Sequence, residues 1–203
     1  MTKIKSSWAD PILEKKELFQ IKETFNSQRF TSGKKVKEFE KRMAKYLNVK
    51  YAVAVSNGTV ALDLALKTIK IGIGDEVIVP AMTYISSASS ISYQNAKPVF
   101  VDIDKNTFNI DIKSAEKAIN SRTKAIIFID YGGNHSNVKE ILSLGKKYKL
   151  PIIHDGAQSL GAKYYGKNLG ANGDVSTMSF HMAKIITTIE GGMIFTNKKK
   201  IYE

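Results

Sequence analysis

The chain has 203 residues, of which 43% are hydrophobic and 25% charged, and its formal net charge is +12. This composition is typical of one globular domain, and the absence of cysteine excludes disulfides, thiolate metal sites and a cysteine nucleophile. Three scattered histidines argue against a metal site, and without an apolar leader or an apolar run of about 20 residues we expect a cytoplasmic protein.

The positive charge has two interpretations. One is a nucleic-acid or anionic partner, and the other is a lysine-rich surface. We favour the second, because the lysines are spread along the chain and no aromatic and basic residues interleave to form a stacking platform. We therefore expect neither a nucleic-acid nor a membrane partner.

Two helices are predicted first in chain order. One covers about residues 11–27 and begins at Asp10, with a proline at the first helical position. The second covers about residues 34–47, and its spacing places five apolar candidates on one face, with either of the last two completing it: Val36, Phe39, Met43, Tyr46 and Leu47.

From residue 51 onward, short β-branched runs alternate with helical stretches. Buried strands are predicted at 51–55, 76–80, 98–103, 125–129, 151–155, 175–180 and 192–196. The helical stretches between them include DIKSAEKAI, which Asp111 should cap. This alternation predicts an α/β fold with three α-β-α layers and a mostly parallel central sheet. The Gly-x-Gly of IGIGDEV follows a helix and precedes a strand, which indicates a turn and not a dinucleotide site.

Ligands of such sheets bind beyond the carboxyl ends of the strands, which selects the segments SNGT, PAMTY, HDGAQ and SFHMAK. In SNGT, Gly58 and Thr59 stand where a strand becomes a helix, and this suits a phosphate. The alternative is that Asn57 and Thr59 only cap the helix. In PAMTY, Tyr84 is either a core residue or a flat face on which a ring stacks.

The other two segments carry charged candidates. Asp155 ends a buried strand and is either structural or functional, and Gln158 follows one turn later. Ser179 closes the next strand, and Lys184 follows within apolar neighbours. A lysine in that setting must snorkel, pair or shift its pKa, and shifted lysines serve Schiff-base chemistry.

Together these groups match what pyridoxal phosphate needs. Its phosphate requires a helix N-terminus and hydroxyl groups, its aldehyde a lysine, and its ring nitrogen an acidic partner. The motifs FTSGKKVKEFEKRMAKYL, SNGTVALDLAL, GDEVIVPAMTY, KPVFVDID, HDGAQSLGA and SFHMAKIITTIEGGM also resemble, in order and spacing, the DegT/DnrJ/EryC1/StrS family of sugar aminotransferases. The resemblance covers essentially the whole chain.

The resemblance implies the aspartate-aminotransferase fold type and a role for each candidate. Lys184 matches the catalytic Schiff-base lysine, and Asp155 matches the aspartate that pairs with the pyridinium nitrogen. Gln158 matches the residue that contacts the ring hydroxyl, and Tyr84 matches the aromatic residue that stacks on the ring. The phosphate-binding positions match Gly58, Thr59 and Ser179. It also implies a nucleotide-linked keto-sugar as acceptor, usually glutamate as donor, a homodimer with shared sites, and a role in amino-sugar or surface-polysaccharide biosynthesis.

The chain also departs from the family. Many relatives carry a histidine near Asp130, and the position of His154 is often acidic in them. Some members are dehydratases with histidine in the lysine position, so Lys184 favours transamination.

Family members are nearly twice as long. We therefore expect residues 1–203 to form the cofactor-binding large domain without the small C-terminal domain, and to be inactive alone. The alternatives are a non-catalytic cofactor-binding fragment and a pyridoxal-phosphate-dependent lyase or dehydratase.

Overall fold

The first helix was predicted to cover about residues 11–27. The computed structural model describes residues 14–27, 31–135 and 137–203, so the predicted start at Asp10 lies outside the described residues. Helix α1 is Lys15–Asn26, and the side chains of Glu14 and Glu17 form a reciprocal capping box at its beginning. None of the residues of α1 is buried.

Six further α-helices follow within the part of the chain that the structure describes, and each of those predicted from the sequence is present within a few residues of its predicted bounds. They are α2 (Lys34–Leu47), α3 (Gly58–Thr68), α4 (Ser86–Tyr93), α5 (Ile112–Ala118), α6 (Val138–Tyr148) and α7 (Lys199–Tyr202). Asp111 caps α5 as expected, because its carboxylate accepts a hydrogen bond from Ser114 N at 2.6 Å. On α2, Leu47 is buried and Tyr46 is exposed, which settles the open alternative for that face.

The strands are β1 (Tyr51–Val55), β2 (Glu76–Pro80), β3 (Lys97–Val101), β4 (Thr123–Ile129), β5 (Ile152–Asp155), β6 (Lys163–Tyr164), β7 (Lys167–Asn168), β8 (Val175–Ser179) and β9 (Gly192–Thr196). Seven of them form one sheet in the order β1-β9-β8-β5-β4-β2-β3. Strand β9 runs antiparallel to both neighbours, and the other pairs are parallel. The predicted mostly parallel sheet is confirmed.

Both faces of the sheet are covered because successive side chains of a strand point to opposite faces. In β4, Ile127 packs in a cluster with α3 and α4, whereas Ile126 and Phe128 pack in another with α5 and α6. Helix α2 packs through Met43 against a third cluster from β8 and β9. The layers are therefore helices, sheet and helices, as predicted.

Three features differ from the predictions. Strand β1 was predicted to be buried but is only half-buried, because it forms one edge of the sheet. Strand β3 forms the other edge and is partly exposed for the same reason. The short hairpin of β6 and β7 was not predicted, since its two-residue strands are too short to carry a hydrophobic period. No helix within the described ranges has the length and apolar character to cross a membrane.

Candidate active site

The four predicted segments meet at one edge of the sheet, the edge where the parallel strands have their carboxyl ends. Parallel strands share the edge at which their carboxyl ends lie, and the register places Asp155 of β5 opposite Thr177 of β8. Ser179 of β8 pairs with Gly192 of β9, which also pairs with Val55 of β1. The carboxyl ends of β5 and β8 are therefore adjacent, and that of β1 lies one strand beyond β8, across β9.

Asn57 and Thr59 play different parts at the start of α3. The side chain of Asn57 caps the helix, because its Oδ1 accepts a hydrogen bond from Val60 N at 2.9 Å. Thr59 does not cap the helix; its hydroxyl lies 2.7 Å from the hydroxyl of Ser86. The first N–H groups of a helix have no acceptor within it, so those of Gly58 and Thr59 are available to an anion.

Gly58 allows α3 to approach β8 closely. A Cβ atom at Gly58 would stand 2.9 Å from the Cβ of Ser179, closer than side-chain carbons pack. The same closeness holds at Gly192, where a Cβ atom would press on the backbone of Asn57 and Gly58. The absence of these side chains leaves the helix N-terminus and the Ser179 hydroxyl next to one another, which is a cradle suited to a phosphate.

Asp155 is buried and accepts two hydrogen bonds. Its Oδ1 accepts from Ala157 N at 3.1 Å, and its Oδ2 accepts from the Ser87 hydroxyl at 2.8 Å. A buried carboxylate is costly without donors or a cation. The bond from Ala157 is the structural bond that the sequence allowed for, and the bond from Ser87 was not foreseen.

Gln158 reaches the loop after β4. Its Oε1 accepts a hydrogen bond from Gly132 N at 2.8 Å. Because a backbone N–H can only donate, the acceptor must be the carbonyl oxygen, and this fixes the orientation of the side-chain amide. The Nε2 group of Gln158 is thus the end available as a donor to a ligand.

Lys184 lies on a loop anchored at Phe180. Phe180 N donates to Gly191 O at 2.8 Å, and Thr188 N donates to Phe180 O at 2.9 Å. Burial lowers the pKa of Lys184, and the negative charge of Asp155 opposes that shift by raising it. The lysine and the aspartate are therefore within electrostatic reach of one another, although 29 positions separate them in the sequence.

Tyr84 is not a core residue. It is 69% exposed at the end of the segment between β2 and α4, with its ring open to solvent. Of the two interpretations left open by the sequence, core packing is wrong, and the flat face for a stacking ring stays a prediction.

His154, one of the departures from the family pattern, contacts Asp130. Nε2 of His154 lies 2.8 Å from Oδ2 of Asp130, and both side chains are fully buried. Nδ1 of His154 accepts a hydrogen bond from Asn172 N at 3.2 Å, so the ring proton must be on Nε2, facing the carboxylate. The ring also stacks on Phe128 at 4.3 Å between centroids. The pair supports the ends of β4 and β5 from within the core.

His181 takes a hydrogen-bonding role. Its Nδ1 accepts from Ala183 N at 3.2 Å, and its Nε2 lies 3.5 Å from the carboxylate of Glu190. No group of histidine and acidic side chains suited to a metal ion occurs within residues 14–27, 31–135 and 137–203. A surface cavity of about 320 Å³ between Lys146, Asp174 and Lys198 lies at the opposite edge of the sheet, away from all these groups.

The sequence-based reasoning missed the hydroxyl groups of α4 and the segment before it. Thr83, Ser86 and Ser87 contact one another or the predicted site residues. A signal was present in the sequence, because the run TYISSASSIS follows β2 at the same edge of the sheet. Serines within a helix are usually assigned to solvent or to the helix's own carbonyls, so the signal is weak.

Comparison with known proteins agrees with this geometry. A model of the DegT/DnrJ/EryC1/StrS aminotransferase family matches residues 11–203. GDP-perosamine synthases from Escherichia coli O157:H7 and Caulobacter vibrioides are 43% and 46% identical to this chain over 95% and 94% of its length. These alignments cover 53% and 52% of those proteins, so the chain spans about half the length of the curated relatives it matches.

Solved structures give the same result. The aminotransferase from Psychrobacter cryohalolentis superposes with a TM-score of 0.92 at 37% identity, over 97% of this chain and 50% of that one. Spr1654 from Streptococcus pneumoniae in its PLP form superposes with a TM-score of 0.91 at 33% identity, over 97% of this chain and 54% of that one.

Proposed function

The chain belongs to the DegT/DnrJ/EryC1/StrS aminotransferase family, and from this premise we propose that it is the cofactor-binding large domain of a pyridoxal-phosphate-dependent aminotransferase. The proposed amine acceptor is a nucleotide-linked keto-sugar, and the proposed donor is an amino acid, glutamate. The similarity to GDP-perosamine synthases supports the acceptor class, and the similarity to a protein solved in a PLP form supports the cofactor. A second copy of the chain is the proposed subunit partner.

The observation that carries this proposal is the state of Lys184. Burial lowers its pKa, which enlarges the fraction of neutral amine, and only the neutral amine attacks an aldehyde. The charge of Asp155 acts on the same pKa in the opposite direction, so an acidic group lies within electrostatic reach of the amine. At Lys147, an exposed lysine, the hydrogen bond with Glu116 dominates and raises the pKa instead.

The donor set fits pyridoxal phosphate. The N–H groups at the start of α3 and the hydroxyls of Thr59 and Ser179 suit its phosphate, and Gly58 provides the close approach. Asp155 suits the protonated ring nitrogen, because a buried carboxylate with two donors is already held in one orientation. We assign the donor end of Gln158 to the ring hydroxyl and the face of Tyr84 to the ring.

The proposed division of labour follows from these positions. The bound cofactor supplies an electron sink for a carbanion of the substrate. Lys184 would act as general base and acid: in the first half of the reaction it would take the proton from the donor's α-carbon and deliver it again within that half, and in the second half the transfer would run in reverse and end on the sugar carbon that receives the amine. Asp155 keeps the ring nitrogen protonated, and Gly58, Thr59 and Ser179 fix the phosphate.

Reductive trapping tests the cofactor assignment. The chain is incubated with pyridoxal phosphate and borohydride, and the adduct is located by mass spectrometry. We expect label at Lys184, loss of that label in Lys184→Ala, and unchanged label in Lys198→Ala. Lys198 is the matched control, because it lies at the opposite edge of the sheet in an ion pair with Asp174. Equal labelling of the parent and Lys184→Ala would contradict the assignment.

Product analysis tests the reaction. Glutamate and a GDP-linked keto-sugar are supplied to the chain expressed with any segment that its gene encodes beyond residue 203. We expect 2-oxoglutarate and an amino-sugar in equal amounts. Loss of water from the sugar without 2-oxoglutarate would instead identify a dehydratase, and binding of the cofactor without turnover would identify a non-catalytic protein.

A further inference from the structure

The first turn of α4 contacts two of the proposed cofactor-binding groups. Ser87 is fully buried, and its hydroxyl lies 2.8 Å from Oδ2 of Asp155, which is 68 positions further along the chain. The adjacent Ser86 lies 2.7 Å from the hydroxyl of Thr59 on α3. One turn of helix therefore contacts both the acidic group and the phosphate cradle.

The direction of the hydrogen bonds at Ser87 follows from counting protons. A carboxylate only accepts, so the single hydroxyl proton of Ser87 is used by Asp155. The hydroxyl of Thr83, 2.7 Å from that of Ser87, must then be the donor of that pair. The other acceptor available to Thr83 is Tyr84 O at 3.3 Å, which is the longer contact. Donation runs from Thr83 to Ser87 and from Ser87 to Asp155.

The carboxylate of Asp155 is held at both of its oxygens, one by the turn after β5 and the other by this chain of donors. Ala157 N holds Oδ1 and Ser87 holds Oδ2, so rotation of the carboxylate about its last bond would break both bonds. The segment that carries Tyr84 is attached to the same group through Thr83. A contact that served the helix alone would not reach from α4 to the end of β5.

Ser90 shows what a purely structural serine looks like on this helix. It is as fully buried as Ser87, but its hydroxyl donates to Ser86 O at 2.7 Å within the same helix. Such a bond satisfies the hydroxyl locally and touches no group of the site. The two serines thus have the same burial and differ in what they hold.

We propose that Ser87 is a positioning residue that acts through Asp155 and sets the orientation in which that carboxylate meets the ring nitrogen of the cofactor. This inference rests on the proposed function. Ser87 does not touch the reacting atoms and acts by holding the carboxylate of Asp155 in place. The adjacent Ser86 contacts the Thr59 hydroxyl in the phosphate cradle.

Three variants test the proposal in the 203-residue chain: Ser87→Ala, Ser87→Thr and Ser90→Ala. The first readout needs no cofactor and is the carbon-13 resonance of the Asp155 side-chain carboxyl, assigned by its loss in Asp155→Asn. We expect it to move in Ser87→Ala, to return towards the parent position in Ser87→Thr, and to stay unchanged in Ser90→Ala.

The second readout is the dissociation constant of pyridoxal phosphate, measured by absorbance titration. We expect about 5-fold weaker binding in Ser87→Ala, as the loss of one hydrogen bond to a positioned group predicts. Ser87→Thr should recover most of that loss, and Ser90→Ala should bind as the parent does.

The outcomes separate the two proposals. An Asp155 resonance that is the same in Ser87→Ala and the parent, or that moves equally in Ser90→Ala, would overturn the positioning role. A parent chain that takes no label at Lys184 would overturn the cofactor assignment, and the Asp155 resonance would still decide the role of Ser87.

Discussion

The acidic side and the lysine side of the site are built in opposite ways. The acidic side, at the ends of β4 and β5, is held by buried hydrogen bonds from Ser87, Ala157 and the His154–Asp130 pair. The lysine side, residues 180–191, is attached through the backbone at Phe180 and carries several exposed apolar side chains, among them Ile185 at 74% and Ile189 at 75% exposure. The difference indicates that the acid is positioned by the fold itself, whereas the lysine loop has surface left to cover.

The largest expected effect comes from removing the hydrogen bonds of His154, which support the acidic side. His154→Phe keeps a ring that can stack on Phe128 but removes the hydrogen bonds to Asp130 and to Asn172 N. We expect a loss of about 3 kcal/mol in the free energy of unfolding, because a buried carboxylate loses the hydrogen bond from His154. Denaturant titration monitored by circular dichroism measures it.

The same substitution on the lysine side is the control. His181→Phe removes bonds that water can replace, because the His181 side chain is 44% exposed. We expect a change below about 0.5 kcal/mol. Equal losses in the two variants would show that the two sides are equally rigid.

The next effect concerns binding. Asp155→Asn keeps the size of the side chain and removes its charge, so the protonated ring nitrogen loses a charge-assisted partner. We expect pyridoxal phosphate to bind about 10- to 100-fold more weakly, as the loss of a hydrogen bond to a charged group predicts. Isothermal titration of the refolded variant measures it, and unchanged binding would leave Asp155 a structural residue only.

A smaller effect should stabilise the lysine side. Ile189 adopts φ = 69°, in the left-handed region that β-branched residues avoid, while its exposed side chain contributes little burial. Ile189→Gly should raise the free energy of unfolding by about 1 kcal/mol, since glycine has no Cβ to strain. Destabilisation in the same denaturant titration would mean that the isoleucine side chain contributes packing to the isolated chain.

The smallest expected effect concerns the pKa of Lys184, which also depends on the charge of Asp155 on the acidic side. Because burial lowers the pKa of Lys184, its neutral amine should persist to lower pH than that of a surface lysine, and its acetylation rate should fall off at a lower pH. Lys147 is the contrasting control, because its hydrogen bond with Glu116 raises its pKa and its acetylation should begin at higher pH. Quantitative mass spectrometry across a pH series gives both profiles.

Asp155→Asn should move the Lys184 profile further in the same direction. The carboxylate now raises the pKa of Lys184, so its removal should lower that pKa again. A profile that does not move would show that the two groups are too far apart to interact.

Local sequence signals predicted the elements well but not their neighbours. The apolar runs at 76–80 and 192–196 became β2 and β9 with the predicted bounds. The half-buried state of β1 was not predictable, because it depends on β9 taking the inner position, and Gly192 of β9 pairs with Val55 from 137 positions further along the chain (192 − 55). Strand order is a non-local property that no hydrophobic period records.

In the functional site too, residues with a local sequence signal were predicted and residues whose role depends on distant neighbours were not. Lys184 and Asp155 were found because each stands at a strand end in an unusual setting, and the structure brings them within electrostatic reach. Ser87 was missed because a serine in a helix has no distinguishing local pattern, and its role depends on the carboxylate it meets. The contact between His154 and Asp130 was likewise hidden, because the sequence marked His154 only as a departure from the family pattern and carried no signal that Asp130 contacts it.

Because β9 lies between β1 and β8, β1 can join the sheet only after β9 has been synthesised. β1 is made early, but its strand partner within the sheet is β9, so β1 must wait for the segment up to Thr196 to emerge. Such long-range pairing is slow, and an unpaired apolar strand is a target for chaperones and for other nascent chains. The cradle at Asn57 and Gly58 is closed by Gly192, so cofactor capture should follow synthesis of β9 and should not assist the earlier steps of folding.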